Sequence, residues 1–151
     1  QMYGDKGEVP EGDYTIPLGV ADIRREGKDV TIVSFGKIIK EADKAADELE
    51  KEGISCEIID LRTVKPLDYE AVLKSVKKTN RLVILEEAWP FGNVATEITY
   101  HIQAHAFDYL DAPVVKINTA DTPAPYSPVL LEEWLPNYKD VVDAVKKVLY
   151  K

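Results

Sequence analysis

The chain has 151 residues, 45% of them hydrophobic, enough to bury one good core in about one domain of ordinary size. Its 27 acidic and 19 basic residues leave a net charge of −8 spread along the length, which argues against a nucleic-acid or anionic-membrane partner and would welcome a basic one. No apolar run reaches the ~18 residues of a membrane span, the N-terminus has neither a signal-peptide core nor an Arg/Ser-rich transit pattern, and the lone Cys56 excludes a disulfide or a CxxC pair within the chain.

Residues 1–19, QMYGDKGEVPEGDYTIPLG, mix Gly, Pro and acidic residues without periodicity. They read as a linker or extended arm from a missing N-terminal domain, so a folded domain is expected over 20–151. In Ala21–Glu26, Asp22, Arg24 and Glu26 alternate with Ile23, which suits a partly solvated edge strand. From Val30 the run VTIVSFG is β-branched and closed by Gly36, and Ile38, Ala42, Ala45, Ala46 and Leu49 follow at helical spacing up to Gly53. ISCEIIDL is a further strand, with Cys56 as a small core residue. After RTVKP a helix starts near Asp68, whose carboxylate can cap it, with Val72, Leu73 and Val76 inward. RLVIL is again a strand, and its helix runs from about Asn93 to Phe107 with Val94, Ile98 and Ile102 inward. VVKIN after Pro113 is the last strand. A Pro-rich loop and a short helical LLEEWL then lead to a final helix from about Lys139, striped by Val141, Val145, Val148 and Leu149.

Strands alternating with helices imply crossover connections and a mainly parallel sheet covered on both faces. The expected fold is an α/β protein, a three-layer α/β/α sandwich of about five strands with the 21–26 segment as a candidate antiparallel edge.

LEEAWPFGNVATEI, from Leu85 to Ile98, delivers Glu86 and Glu87 to the carboxyl end of a strand, where open α/β sheets gather ligands and catalytic groups. No other chemical motif converges on it. The turn SFGKIIKEA has one glycine where a dinucleotide fingerprint needs three, and Walker-type and nucleophile-elbow patterns are absent. His101 and His105 have the helical spacing of a metal pair, with Glu97 one turn earlier, but no third ligand is evident and a solvated or interface-facing pair is the favoured reading. Asp60 and Arg62 end the ISCEIIDL strand. On adjacent strands Arg62 would fork onto Glu86 or Glu87, a network that more often fixes loops than performs catalysis.

The ordered elements IPLG, VTIVSFG, DLRTVKPLD, VKKTNRLVILEEAWPFG, FDYLDAP and TADTPAPYSPVLLE resemble the C-terminal domain of pyruvate dehydrogenase beta subunits. These belong to the thiamine diphosphate-dependent first component of the 2-oxo acid dehydrogenase complexes, within the transketolase superfamily. The DLRT element marks only the superfamily, whereas the EE-x-WP corner, KTNR and YLDAP are closer to the pyruvate enzyme. Ala88 stands where the family commonly has glycine. The resemblance implies that thiamine diphosphate and magnesium are held between the alpha subunit and the N-terminal part of beta. No catalytic, cofactor or metal residue is then assigned here, and the segment alone is expected to be inactive.

What the resemblance assigns to this domain is assembly with the alpha subunit and a second beta subunit. It also implies docking of the basic peripheral subunit-binding domain of a dihydrolipoyl acyltransferase at Asp111 and the end of the chain, Lys151. Trp89 and Phe91 are expected at a subunit interface, so an isolated domain would tend to self-associate. The compartment implied is bacterial cytoplasm, with mitochondrial matrix or plastid as alternatives. Two other readings remain: the same domain in a branched-chain or transketolase-like enzyme, and an interaction module without catalytic context.

Overall fold

A computed structural model describes residues 6–151; the first five residues of the expected arm lie outside it. Five strands form one sheet in the order β1-β3-β2-β4-β5. They are β1 (Asp22–Arg25), β2 (Val30–Ser34), β3 (Cys56–Asp60), β4 (Leu82–Leu85) and β5 (Val115–Ile117). β1 pairs antiparallel with β3, and every other pairing is parallel. The helices are α1 (Ile39–Lys51), α2 (Tyr69–Thr79), α3 (Val94–Ala106), α4 (Pro128–Trp134) and α5 (Tyr138–Val148). The expected sandwich with an antiparallel edge strand is the observed fold.

Period-2 alternation along β2 and β4 separates two cores. Val30, Ile32, Val83 and Leu85 pack under α1 and α5 with Leu49, Val141 and Val145. Val33, Leu82 and Ile84 pack under α2 and α3 with Val72, Val76, Ile98 and Ile102. Two polar residues interrupt the second face, Thr31 and its β3 neighbour Glu57. Thr31, fully buried, bonds Ser75 Oγ at 2.6 Å and Thr79 Oγ1 at 2.7 Å, so the hydroxyls that α2 turns inward satisfy one another. Cys56 lies in the core, and burial pushes its thiol up to about 12, which leaves it inert as a nucleophile.

Helix ends follow local chemistry. Asp68 Oδ1 accepts from Ala71 N at 3.0 Å and Asn93 Oδ1 from Thr96 N at 2.9 Å, each satisfying a main-chain donor left open by the first helical turn. Asn80 closes α2 in the left-handed region, φ 62°. The β1–β2 turn needs glycine for a different reason: a Cβ on Gly27 would stand 2.1 Å from the Cys56 carbonyl carbon.

One expectation about the sheet is overturned. The strands ending at Asp60 and Leu85 are not neighbours, because β2 lies between β3 and β4. Consecutive parallel strands here were laid down on opposite sides of β2.

Candidate functional site

The carboxyl ends of β2, β4 and β5 meet at the corner 86–93. Glu86 leaves β4 on the α3 side and is fully buried. Its Oε1 accepts from Asn118 Nδ2 at 2.9 Å and its Oε2 from Ala95 N at 3.2 Å, in the first turn of α3. Burial raises its pKa above the ordinary carboxyl value, against the opposing pull of Asn118, Ala95 and Lys116. Both oxygens are thus occupied in clamping β4, β5 and α3 together. Glu87 emerges on the other face, exposed, beside a cavity of about 440 Å³ shared with Ile38 and the α4–α5 connection.

The Trp-Pro corner is fixed by main-chain bonds. Asn93 Nδ2 donates to Trp89 O at 2.6 Å, Thr119 N to Ala88 O at 3.1 Å, and Lys116 Nζ to Pro90 O at 3.1 Å. Trp89 Nε1 and Trp134 Nε1 both donate to Thr122 O, at 3.1 and 2.9 Å, tying the corner to the Pro-rich loop. The rings remain outside: Trp89 is 54% exposed and Phe91 92%. Ala88 is absent from the positive-φ residues, so the corner turns without glycine there.

The expected lock between Arg62 and Glu86 or Glu87 does not form, a consequence of the intervening β2. Arg62 instead pairs with Asp22 of the edge strand at 3.0 Å, and its N–H donates to Asp60 Oδ1 at 3.0 Å, with Arg62 at φ 55°. Asp60 and Arg62 therefore shape the loop after β3 and anchor β1. The acidic corner is held by Asn118, which sequence reasoning missed. Its only signal was a polar residue on the α3-facing phase of VVKIN.

His101 stacks on Tyr69 with centroids 4.1 Å apart and lies 4.4 Å from the His105 ring. Burial, then the neighbouring His105, lowers its pKa, with Glu97 and Glu70 pulling the other way. Glu97 Oε1 accepts from Tyr69 Oη at 2.9 Å. Among the described residues, no three or more His, Cys, Asp or Glu side chains are grouped to hold a metal.

Asp111 lies at the opposite, amino end of the sheet, before β5. Its carboxylate faces Arg81 at 3.1 Å, while Arg81 Nε donates to Val148 O at 3.1 Å. Tyr150 Oη donates to Asp111 O at 3.2 Å. The LDAP aspartate and the segment ending in exposed Lys151 thus share one surface, and neither Arg81 nor Tyr150 was expected there. Asp111 thus already has a cationic neighbour in Arg81.

Comparisons with known proteins agree with this architecture. The family profile for the C-terminal domain of transketolase matches residues 19–141. The chain is 52% identical, over 99% of its length and 33% of the relative's, to pyruvate dehydrogenase E1 component subunit beta of Rhizobium meliloti (strain 1021). It is 46% identical, over 97% of its length and 43% of the relative's, to the beta subunit of acetoin:2,6-dichlorophenolindophenol oxidoreductase of Bacillus subtilis (strain 168). A split-gene transketolase solved as an inactive beta4 tetramer superposes with a TM-score of 0.80 at 33% identity, over 95% of this chain and 46% of that one. The chain therefore spans less than half the length of these relatives.

Proposed function

Because the chain belongs to the transketolase C-terminal domain family, we propose that it is the assembly and docking domain of a pyruvate dehydrogenase beta subunit. In that role it contributes to oxidative decarboxylation of pyruvate, with acetyl transfer to lipoyl, without carrying the reacting groups. The observation that carries this reading is similarity to pyruvate dehydrogenase beta subunits along essentially the whole chain.

The thiamine diphosphate and magnesium would belong to the alpha subunit and to a preceding part of beta. The exposed rings of Trp89 and Phe91 favour a subunit contact, since rigid aromatic side chains supply much of the energy at interface centres. Docking of a basic subunit-binding domain is favoured by the exposed carboxylate of Asp111 and by the −8 charge, which speeds association with cations. The compartment proposed is bacterial cytoplasm, with mitochondrial matrix and plastid as alternatives; no helix among the described residues is long and apolar enough to cross a membrane.

A second reading is the same domain in an acetoin oxidoreductase, favoured by the 46% and 45% identity to the beta subunits of two such enzymes. Turnover assays address both. The purified chain with thiamine diphosphate and magnesium should turn over neither pyruvate nor acetoin, and measurable turnover of either would overturn the non-catalytic role. The substrate should then be decided by the full beta subunit with its alpha partner: decarboxylation of pyruvate supports the first reading, dichlorophenolindophenol-linked oxidation of acetoin alone the second.

A further inference from the structure

The sheet has an edge whose main-chain groups are unclaimed. Along a strand, successive residues present their N–H and C=O alternately to the two sides. Ile117 O accepts from Glu86 N and Thr119 N donates to Ala88 O, each at 3.1 Å, so the odd-numbered residues of this segment face β4 and its extension. Lys116 and Asn118 therefore face outward, and among the described residues no bond to their main-chain groups is found. Further on, the same outward side is occupied: Ala120 N donates to Trp134 O at 3.1 Å. The chain itself uses this side of the edge, then leaves it open along β5.

Beside the open stretch runs a groove of about 430 Å³. Its apolar wall includes Ile117, Leu135 and Ala144, and its rim carries Glu133, Asp140 and Asp143. All three carboxylates are exposed. Asp140 gives one oxygen to Asn137 N, whereas Glu133 and Asp143 have no bonded partner among the described residues. Among the described residues Lys116 is the one cation lining the groove, and its ammonium is held by Pro90 O and Thr96 Oγ1.

We propose that the free edge of β5 binds an extended segment of a partner protein bearing Lys or Arg at alternate positions, which adds a sixth strand to the sheet. The outward main-chain groups of Lys116 and Asn118 form the ladder. Every second side chain of the added strand turns toward α5, where a basic residue meets Glu133 or Asp143. Charge decides the occupant. A second copy of this chain pairing β5 with itself would bring the same acidic rims together, and like charges across a strand pair oppose pairing. The site is separate from the Asp111 surface, which lies before β5, and does not depend on the assembly reading.

The test is fluorescence anisotropy of a short labelled peptide of alternating Lys and Val titrated with the chain. We expect saturable binding that weakens with added salt and slows hydrogen exchange at the Lys116 and Asn118 amides. The double variant E133K/D143K, altered only at exposed positions, should bind about tenfold or more weakly with its thermal unfolding unchanged. A peptide of the same charge, N-methylated on the amides that would join the ladder, should not bind. The proposal is overturned by absence of saturable binding, by equal affinity of the double variant or the methylated peptide, by protection elsewhere than β5, or by β5-mediated dimerisation in place of peptide binding.

Discussion

The two edges of the sheet are built to opposite ends. At the β1 edge, Arg24 forks onto Asp43 at 2.7 and 3.3 Å, and Arg25 reaches Asp47 and Glu50 at 2.7 and 2.8 Å, lacing the strand to α1. Lys78 of α2 closes the same side through Glu26 and the buried Glu57. At the β5 edge the strand has three residues, its outward groups are open, and the nearby acidic rim has few internal partners. The β1 edge is laced to the helices by side-chain ion pairs, whereas the β5 edge has few such ties. An exposed edge is a hazard unless it is short or charged, and β5 is short with charged walls.

The largest expected effect lies at the β1 edge. Gly27→Ala places a methyl against the Cys56 and Glu57 backbone, a clash that no side-chain rotation relieves, and should cost about 3 kcal/mol in urea unfolding. A loss under half of that would mean that the β1–β2 turn is looser than its packing implies.

Next is Lys78→Met, which strands the Glu57 carboxylate in a site where its side chain is 3% exposed. Burial alone would raise the pKa of Glu57, but Lys78, with help from Ser75 and Gly27 N, holds it below the ordinary value. A lowered pKa means that the folded state favours the charged form, so this stability is present at neutral pH and fades as acid protonates the carboxylate. The substitution should cost about 2 kcal/mol at pH 7 and clearly less in acid; equal loss at both would break the assignment.

Glu86 has the opposite sign. Its raised pKa means that the folded protein holds the proton more tightly than the unfolded chain. Stability from this group is complete below the ordinary carboxyl value and is lost as pH rises through the raised one. Glu86→Gln, whose NH2 cannot accept from Ala95 N or Asn118 Nδ2 as a carboxylate oxygen does, should cost about 1 kcal/mol at pH 7 and flatten the pH dependence over that range, whereas parallel curves for the two proteins would contradict it. The smallest effect belongs to the open edge, where Asp143→Lys should shift stability by about 0.5 kcal/mol or less.

Strands, helices and caps were legible because each is written in local pattern: Asp68 and Asn93 stand immediately before their helices, and the alternation of Val30, Ile32 and Val33 separates the two faces. Neighbourhood in the sheet was not. Arg62 and Glu86 end successive parallel strands, yet the placement of β2 between them is a property of the whole topology. The Glu86–Asn118 bond spans 32 positions, and the Arg81–Asp111 pair joins a strand entry to a loop, so neither leaves a periodic trace. The hydroxyls of Ser75 and Thr79 did leave one, as polar residues within the inward stripe of α2.

The proposed role of this domain is to dock a partner at the Asp111 surface. It is tested most directly by calorimetric titration of a dihydrolipoyl acyltransferase peripheral subunit-binding domain into the chain and into its Asp111→Ala variant. Saturable, salt-sensitive binding to the chain is expected, with affinity about tenfold or more weaker for the variant and both proteins equally folded. Absence of binding to the chain, or equal affinity for the two proteins, would contradict it.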